Sequence, residues 1–224
     1  MNFSNQLKIV YEDNHQLVIN KPAGLLTQPS GTEQESLEAQ AKFWIKEHYQ
    51  KPGNVFLEAV HRIDKPVSGL VLFARTSKAL SRLQGAMREK KSHKLYYALV
   101  EGKVIAETGT LEHYLTHDDF QALVVKAGNP EAKLARLHYR VVKWEGSLTL
   151  LEIVLETGRY HQIRAQLATT GHPILGDKKY GSRQFFREGE IALHHSLLRV
   201  PHPITGEPQT FEAAYPSVWP IAFE

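Results

Sequence analysis

Apolar and polar positions alternate weakly over residues 7–12 (Leu7, Ile9, Tyr11) and 15–20 (Leu17, Ile19), which predicts two short strands around Asp13-Asn14. Lys21-Pro22-Ala23-Gly24 is a turn that ends the second strand, and Leu25 to Gly31 reads as loop. Thr32-Glu33-Gln34-Glu35 has the capping-box spacing, so a helix is expected to start there. Its apolar face is Leu37, Ala41, Trp44 and Ile45, and Pro52-Gly53-Asn54 closes it. Val55, Phe56, Leu57, Ala59 and Val60 then form an apolar approach to His61-Arg62-Ile63-Asp64-Lys65. A Pro66-Val67-Ser68-Gly69 turn follows, and Leu70–Ala74 is strand-like.

Thr76 or Ser77 caps a second predicted helix with Leu80, Leu83 and Met87 as its buried stripe. Residues 88–94 concentrate positive charge and lead into a strand over Lys94–Val100, ended by Glu101-Gly102. Further strands are expected at Thr110–Leu115, Ala122–Lys126, Leu137–Trp144 and Leu148–Leu155. Tyr160 to Ala168 reads as helix, with Gly171 as its C-terminal cap before Pro173, and Ile191–Val200 as a late strand. No internal repeat or low-complexity linker interrupts this order. Strands come in runs with few helices, so the expected class is α+β, with a mixed, largely antiparallel sheet and a single domain over residues 1–224.

Composition narrows the chemistry. The 224 residues are 42% hydrophobic and 23% charged, as in a globular chain. There is no cysteine, which excludes disulfides, thiolate zinc sites and a cysteine nucleophile together. No long apolar run or signal-peptide pattern is present, so a cytoplasmic protein without membrane association is expected. The net charge of +3 permits a nucleic-acid partner without requiring one.

Two stretches concentrate candidate chemistry. Asp64, between Arg62 and Lys65 and just before a tight turn, sits in positive surroundings that favour its charged form. That suits a nucleophile or base, and it suits a surface ion pair equally well. In the second stretch, Arg159, His161, Gln162 and Arg164 crowd donors after Gly158 at a helix start, which favours phosphate or a carboxylate brought in from elsewhere. Arg164 could equally pair with an incidental acid. His61-Arg62-Ile63-Asp64 is not a kinase catalytic loop, because Ile63 breaks the spacing and no Asp-Phe-Gly follows. Walker A and Gly-x-Gly-x-x-Gly sequences are absent. Of the twelve histidines, His113 and His117 lie on strand and turn and His194-His195 point to opposite faces, so no metal site is expected.

Taken together, these stretches resemble the RluA-type family of RNA pseudouridine synthases. Lys21-Pro22-Ala23-Gly24-Leu25 is similar to the family's first motif, and His61-Arg62-Ile63-Asp64 through Ser68-Gly69-Leu70 to its catalytic motif. Lys94, Tyr96, Ala98, Leu99, Val100 and Gly102 match its Lys-x-Tyr-x-Ala-Leu-Val-x-Gly strand. Gly158-Arg159, His161-Gln162-Ile163-Arg164 and Gly171-His172-Pro173 to Gly181 match its later motifs, and His194 to Pro203 its closing strand. Val67 replaces a usual Thr, Ile63 a usual Leu, and Gln166 stands where many members have His, a departure that bears on which RNA is read.

The resemblance implies isomerisation of a uridine within RNA, without metal or organic cofactor. It implies Asp64 as catalytic carboxylate, Arg164 as the cation that orients it, and Tyr96 as a ring stacked on the uracil. Arg62 is then expected to fill the space of a flipped-out base, while Lys90, Lys91, Lys94, Lys178 and Lys179 meet phosphates, and His61, Arg159, His161 and Gln162 complete the RNA contacts. With no room before the first motif for a separate RNA-binding domain, substrate choice is expected to rest in the catalytic domain itself. The expected partner is a tRNA or rRNA stem-loop, bound by a monomer that needs no protein partner. Two competing classes are a catalytically inactive RNA-binding module on the same fold and a glycoside hydrolase. The second would need a further carboxylate, for which Glu156 and Asp177 are nearest in character although each has a local explanation.

Overall fold

A computed structural model describes residues 7–118 and 120–221. In chain order its elements are β1 (Lys8–Glu12), β2 (Gln16–Lys21), α1 (Leu37–His48), β3 (Glu58–Ala59), β4 (Ser68–Ala74), α2 (Ser77–Arg88), β5 (His93–Glu101), β6 (Thr108–His117), β7 (Ala122–Val125), β8 (Lys133–Glu145), β9 (Leu148–Leu155), α3 (Gln162–Thr169), β10 (Leu193–Pro201) and β11 (Pro208–Glu212). The chain divides into two compact units, one of residues 1–93 and 195–214, the other of residues 94–194 and 215–224. The class is α+β, as the run of strands predicts.

In the first unit the strands follow the order β1-β2-β4-β10-β11, with β3 also on β4. β2 and β4 run antiparallel in register from Gln16↔Ala74 to Lys21↔Gly69. All seven β4 residues are buried, which explains its unbroken apolar reading. One of its faces packs Leu70, Leu72 and Ala74 with Val18, Leu198, Val200 and Phe211 and with Ala79 and Leu83 of α2. Burying a leucine of this kind is worth about 1.5–3 kcal/mol. Gly69 begins the strand at φ +119°, and a Cβ there would lie 2.4 Å from the backbone oxygen of His195, so only glycine fits this approach.

The second unit is an antiparallel sheet in the order β5-β9-β8-β6-β7. β9 spans Leu148–Leu155, as its sequence pattern predicts, and pairs with β5 from Leu95↔Val154 to Glu101↔Leu148. α3 packs Ala165 against Leu115, Ala122 and Ala135. Gly171, at φ +85°, supplies the left-handed residue that ends it, as expected. Tyr215 stacks on Trp219 and meets Tyr97 edge-on.

One local expectation is corrected and two strands are added. The cap of α1 is Ser36, whose hydroxyl accepts from the Ala39 N–H; Thr32 instead accepts from Gln34 N–H within a loop turn. The reason is tertiary: Leu37 N–H and Glu38 N–H donate to the carbonyls of Leu26 and Thr27, which holds Ser36 extended. Thr76 does cap α2, accepting from Ala79 N–H. β3 and β11 are additional strands, each too short or too close to proline to show in the pattern. Among the described residues no helix is long and apolar enough to cross a membrane.

Candidate active site

The Asp64 loop is built by hydrogen bonds from buried side chains to its backbone. The Thr27 hydroxyl, 4% exposed, donates to Ile63 O at 2.8 Å and accepts from Ile63 N–H at 3.3 Å, clamping the residue before Asp64 from both sides. Lys65 O on the other side of Asp64 accepts from Gly24 N–H at 2.8 Å and from the Lys21 ammonium at 3.2 Å. The same ammonium donates to Leu25 O at 2.7 Å and Pro22 O at 2.9 Å. Val67 N–H closes the turn onto Asp64 O at 3.0 Å. Val67 is 2% exposed, so valine suits a position where a buried hydroxyl would need a partner.

Lys21 is fully buried, and burial pushes its ammonium down to about 7, with the Asp64 charge acting in the opposite direction. The first motif therefore puts a titratable cation within electrostatic reach of the candidate carboxylate. His61 Nε2 accepts from Leu72 N–H at 3.2 Å and its ring meets His195 edge-on, so this nitrogen is committed to β4. Asp64 is half-buried, whereas Arg62, Lys90 and Lys91 are exposed.

In the second unit, Tyr96 on β5 is buried opposite Ile153. Its neighbour Tyr97 points to the other face, where burial and Glu152 push its phenol up to about 12. Arg164, buried in the first turn of α3, makes a two-pronged ion pair with Asp177: Nε to Oδ2 at 2.7 Å and Nη2 to Oδ1 at 2.8 Å. Both side chains are nearly solvent-free, so each charge depends on the other. Its Nη1 donates to His161 Nε2 at 2.8 Å. A guanidinium cannot accept, so His161 carries its hydrogen on Nδ1, which donates to the Tyr180 phenol at 2.9 Å. His161 itself has left-handed backbone, φ +49° and ψ +24°, a conformation that costs a non-glycine residue of order 1–3 kcal/mol and recurs at functional sites. Arg164 also lies over the Tyr180 ring, 5.0 Å from its centroid.

The remaining candidates divide by exposure. Arg159, Lys178 and Lys179 are exposed, although Arg159 Nε donates to Leu134 O and Lys179 to Phe120 O. Gln162, expected to touch RNA, is buried; its amide oxygen accepts from the Thr157 hydroxyl and from Arg159 N–H, and its nitrogen donates to Arg136 O, so it braces the loop. Lys94 is half-buried, and burial lowers its ammonium below the usual lysine range. Gln166, whose departure was expected to bear on RNA choice, is fully buried and ties α3 to Leu111 O and Ala135 O, so it meets no RNA from this position. Thr27 and Tyr180 do not stand out in the sequence, and Asp177 stands out there only as a possible second carboxylate, not as the partner of Arg164. The one available signal was an arginine on an otherwise uncharged helix face, which demands an acid from elsewhere.

A family profile described as RNA pseudouridylate synthase matches residues 15–169. The chain belongs to this family. The RluA-type resemblance of its motifs is thereby upheld, and the RNA pseudouridylate synthases are isomerases. An uncharacterized RNA pseudouridine synthase of Bacillus subtilis, YhcT, is 36% identical over 95% of this chain and 70% of its own length. The ribosomal large subunit pseudouridine synthase C of Vibrio vulnificus is 35% identical over 92% of this chain, which spans 64% of that relative. Ribosomal large subunit pseudouridine synthase D of Pseudomonas aeruginosa is 36% identical, with 94% and 69% covered. The chain thus spans about two thirds of the length of these relatives. In fold it is similar to human RNA pseudouridylate synthase domain containing 4, with a TM-score of 0.77 at 22% identity over 93% of this chain and 88% of that one.

Proposed function

We propose that this protein converts uridine to pseudouridine within structured RNA, with Asp64 as the catalytic carboxylate. The C1′–N1 bond breaks, the uracil rotates, and C1′ bonds to C5; the C5 proton leaves to solvent and N1 takes one up. The sequence is redox-neutral and calls for no cofactor. Asp64 acts at the sugar or base, Tyr96 stacks on the uracil, and Arg164 supplies fixed positive charge to the carboxylate chemistry. Arg62 fills the space of the extruded base, and the exposed Lys90, Lys91, Arg159, Lys178 and Lys179 meet phosphates. RNA of the large ribosomal subunit is the proposed substrate ahead of tRNA, following the names of the relatives. The proposed setting is the cytoplasm, with the protein acting as a monomer. Asp64 belongs to the first unit, and Tyr96 and Arg164 to the second.

The observation that carries the reading is the double clamp on the Asp64 loop. A carboxylate whose neighbouring peptide groups are fixed by a buried hydroxyl and a buried ammonium is pre-oriented, which suits chemistry more than a surface ion pair. The test is release of tritium from C5-labelled uridine in rRNA and tRNA transcripts, comparing the wild-type protein with Asp64→Asn. Release by the wild type alone, with the base still joined to ribose, supports the synthase. Release of free uracil would support a glycosidase, and binding without release an inactive module.

A further inference from the structure

The second unit contains a cavity of about 440 Å³ that the proposed chemistry does not use. Thr116 and His117 of β6, Lys133 at the start of β8, and Gly158, Arg159 and Tyr160 before α3 line it. Tyr160 is 37% exposed there. One face of its ring is covered by His161, with centroids 3.8 Å apart and planes 19° from parallel, and His117 meets it edge-on at 5.6 Å. Arg159 is anchored through Nε to Leu134 O, which fixes where its remaining N–H groups are presented. Lys133 is exposed on the same rim, and Glu131 is the acidic group facing them.

A cavity in the range of roughly 300–1,000 Å³ holds a small molecule, here with two aromatic rings and two cations. An inorganic anion would need the cations and not the rings; an apolar ligand would need the reverse. A nucleotide needs both, a π-face for its base and positive charge for its phosphate. Glu131 adds an acceptor for ring N–H groups. We infer that this cavity takes one nucleotide of the RNA next to the target uridine, its base stacked on Tyr160 and flanked by His117, and its phosphate held by Arg159 and Lys133. This rests on the reading that the protein acts on RNA. An occupied cavity lies two stacked rings away from Arg164, since Tyr160 stacks on His161 and His161 Nε2 accepts from Arg164. The nucleotide beside the target then helps to hold the charged group, which makes sequence context a determinant of turnover.

The test is a binding cycle in the Asp64→Asn background, so that no probe is converted. The probes are a fluorescent oligouridylate of about ten nucleotides, within the span of one single-strand site, and the same chain with every base removed. Tyr160→Ala is expected to weaken the base-bearing oligomer by about 5- to 100-fold and the abasic one by less than about twofold, the difference a lost stacking contact makes. Tyr160→Phe keeps the ring and is expected to bind like the parent. Equal weakening of both oligomers, weakening of neither, or no binding of either probe would overturn the inference. Failure of tritium release with this cycle intact would instead strike the synthase reading alone.

Discussion

The Asp64 loop and the Arg159–Arg164 segment are both held in place, by opposite means. The first relies on neutral and cationic side chains that reach backbone groups from residues 21 and 27, leaving the backbone conformation ordinary. The second relies on a strained residue, His161, locked by an ion pair buried beneath it. A hydrogen-bonded loop loses rigidity by degrees as contacts are removed. A segment built on a buried charge pair loses more in a single step, because breaking such a pair costs about 3–5 kcal/mol.

The largest effect expected is catalytic and confined to the first region. Asp64→Asn should lower C5 tritium release by at least about 10²–10⁴-fold while filter binding of RNA is retained. Comparable turnover would remove Asp64 from the chemistry. In the second region, Asp177→Asn should lower stability by about 3–5 kcal/mol in urea unfolding, because it breaks a buried two-pronged ion pair. A loss under about 1 kcal/mol would erase the contrast between the two regions. Thr27→Val should cost about 1–3 kcal/mol by the same measurement, with Thr27→Ser recovering most of it, since two backbone groups of Ile63 lose their partner.

The last effect is a pH dependence. The unfolded chain keeps the Lys21 proton up to about 10.5, and the folded chain releases it at about 7. Between these values the unfolded state binds more protons, so the cost of burying Lys21 is full below about 7 and is relieved as pH rises. Unfolding free energies of Lys21→Met should therefore rise less with pH between about 7 and 10 than those of the wild type. Parallel curves would show that Lys21 stays charged in the fold.

Much of this was legible along the chain where the determinants are local. β9, the Thr76 cap and the Gly171 stop follow from alternation, a hydroxyl and a positive φ, each within a few residues. The α1 cap was misplaced because the pairing of residues 26 and 27 with 37 and 38 is a tertiary contact that a four-residue window does not contain. In the site, the motifs located Asp64 and Arg164, but not Asp177, whose turn setting already explained it, nor Thr27, whose partner lies 36 residues away. Gln162 reads as one of a crowd of donors and Gln166 as a departure from the family's usual His; the burial that makes them braces depends on strands β6 and β8.

The first unit is discontinuous in sequence, and during synthesis this sets an order of events. Its strand β4 lies beside β10, and the Gly69 backbone closes against His195. All of residues 94–194 must leave the ribosome before that partner exists. At roughly 5–20 residues per second this is a wait of about 5–20 seconds. The second unit, apart from its last few residues, is complete by then. The nascent chain thus presents a finished antiparallel sheet while the sheet beneath the candidate catalytic loop still has an open edge, and it is in this interval that chaperones and aggregation compete for the protein.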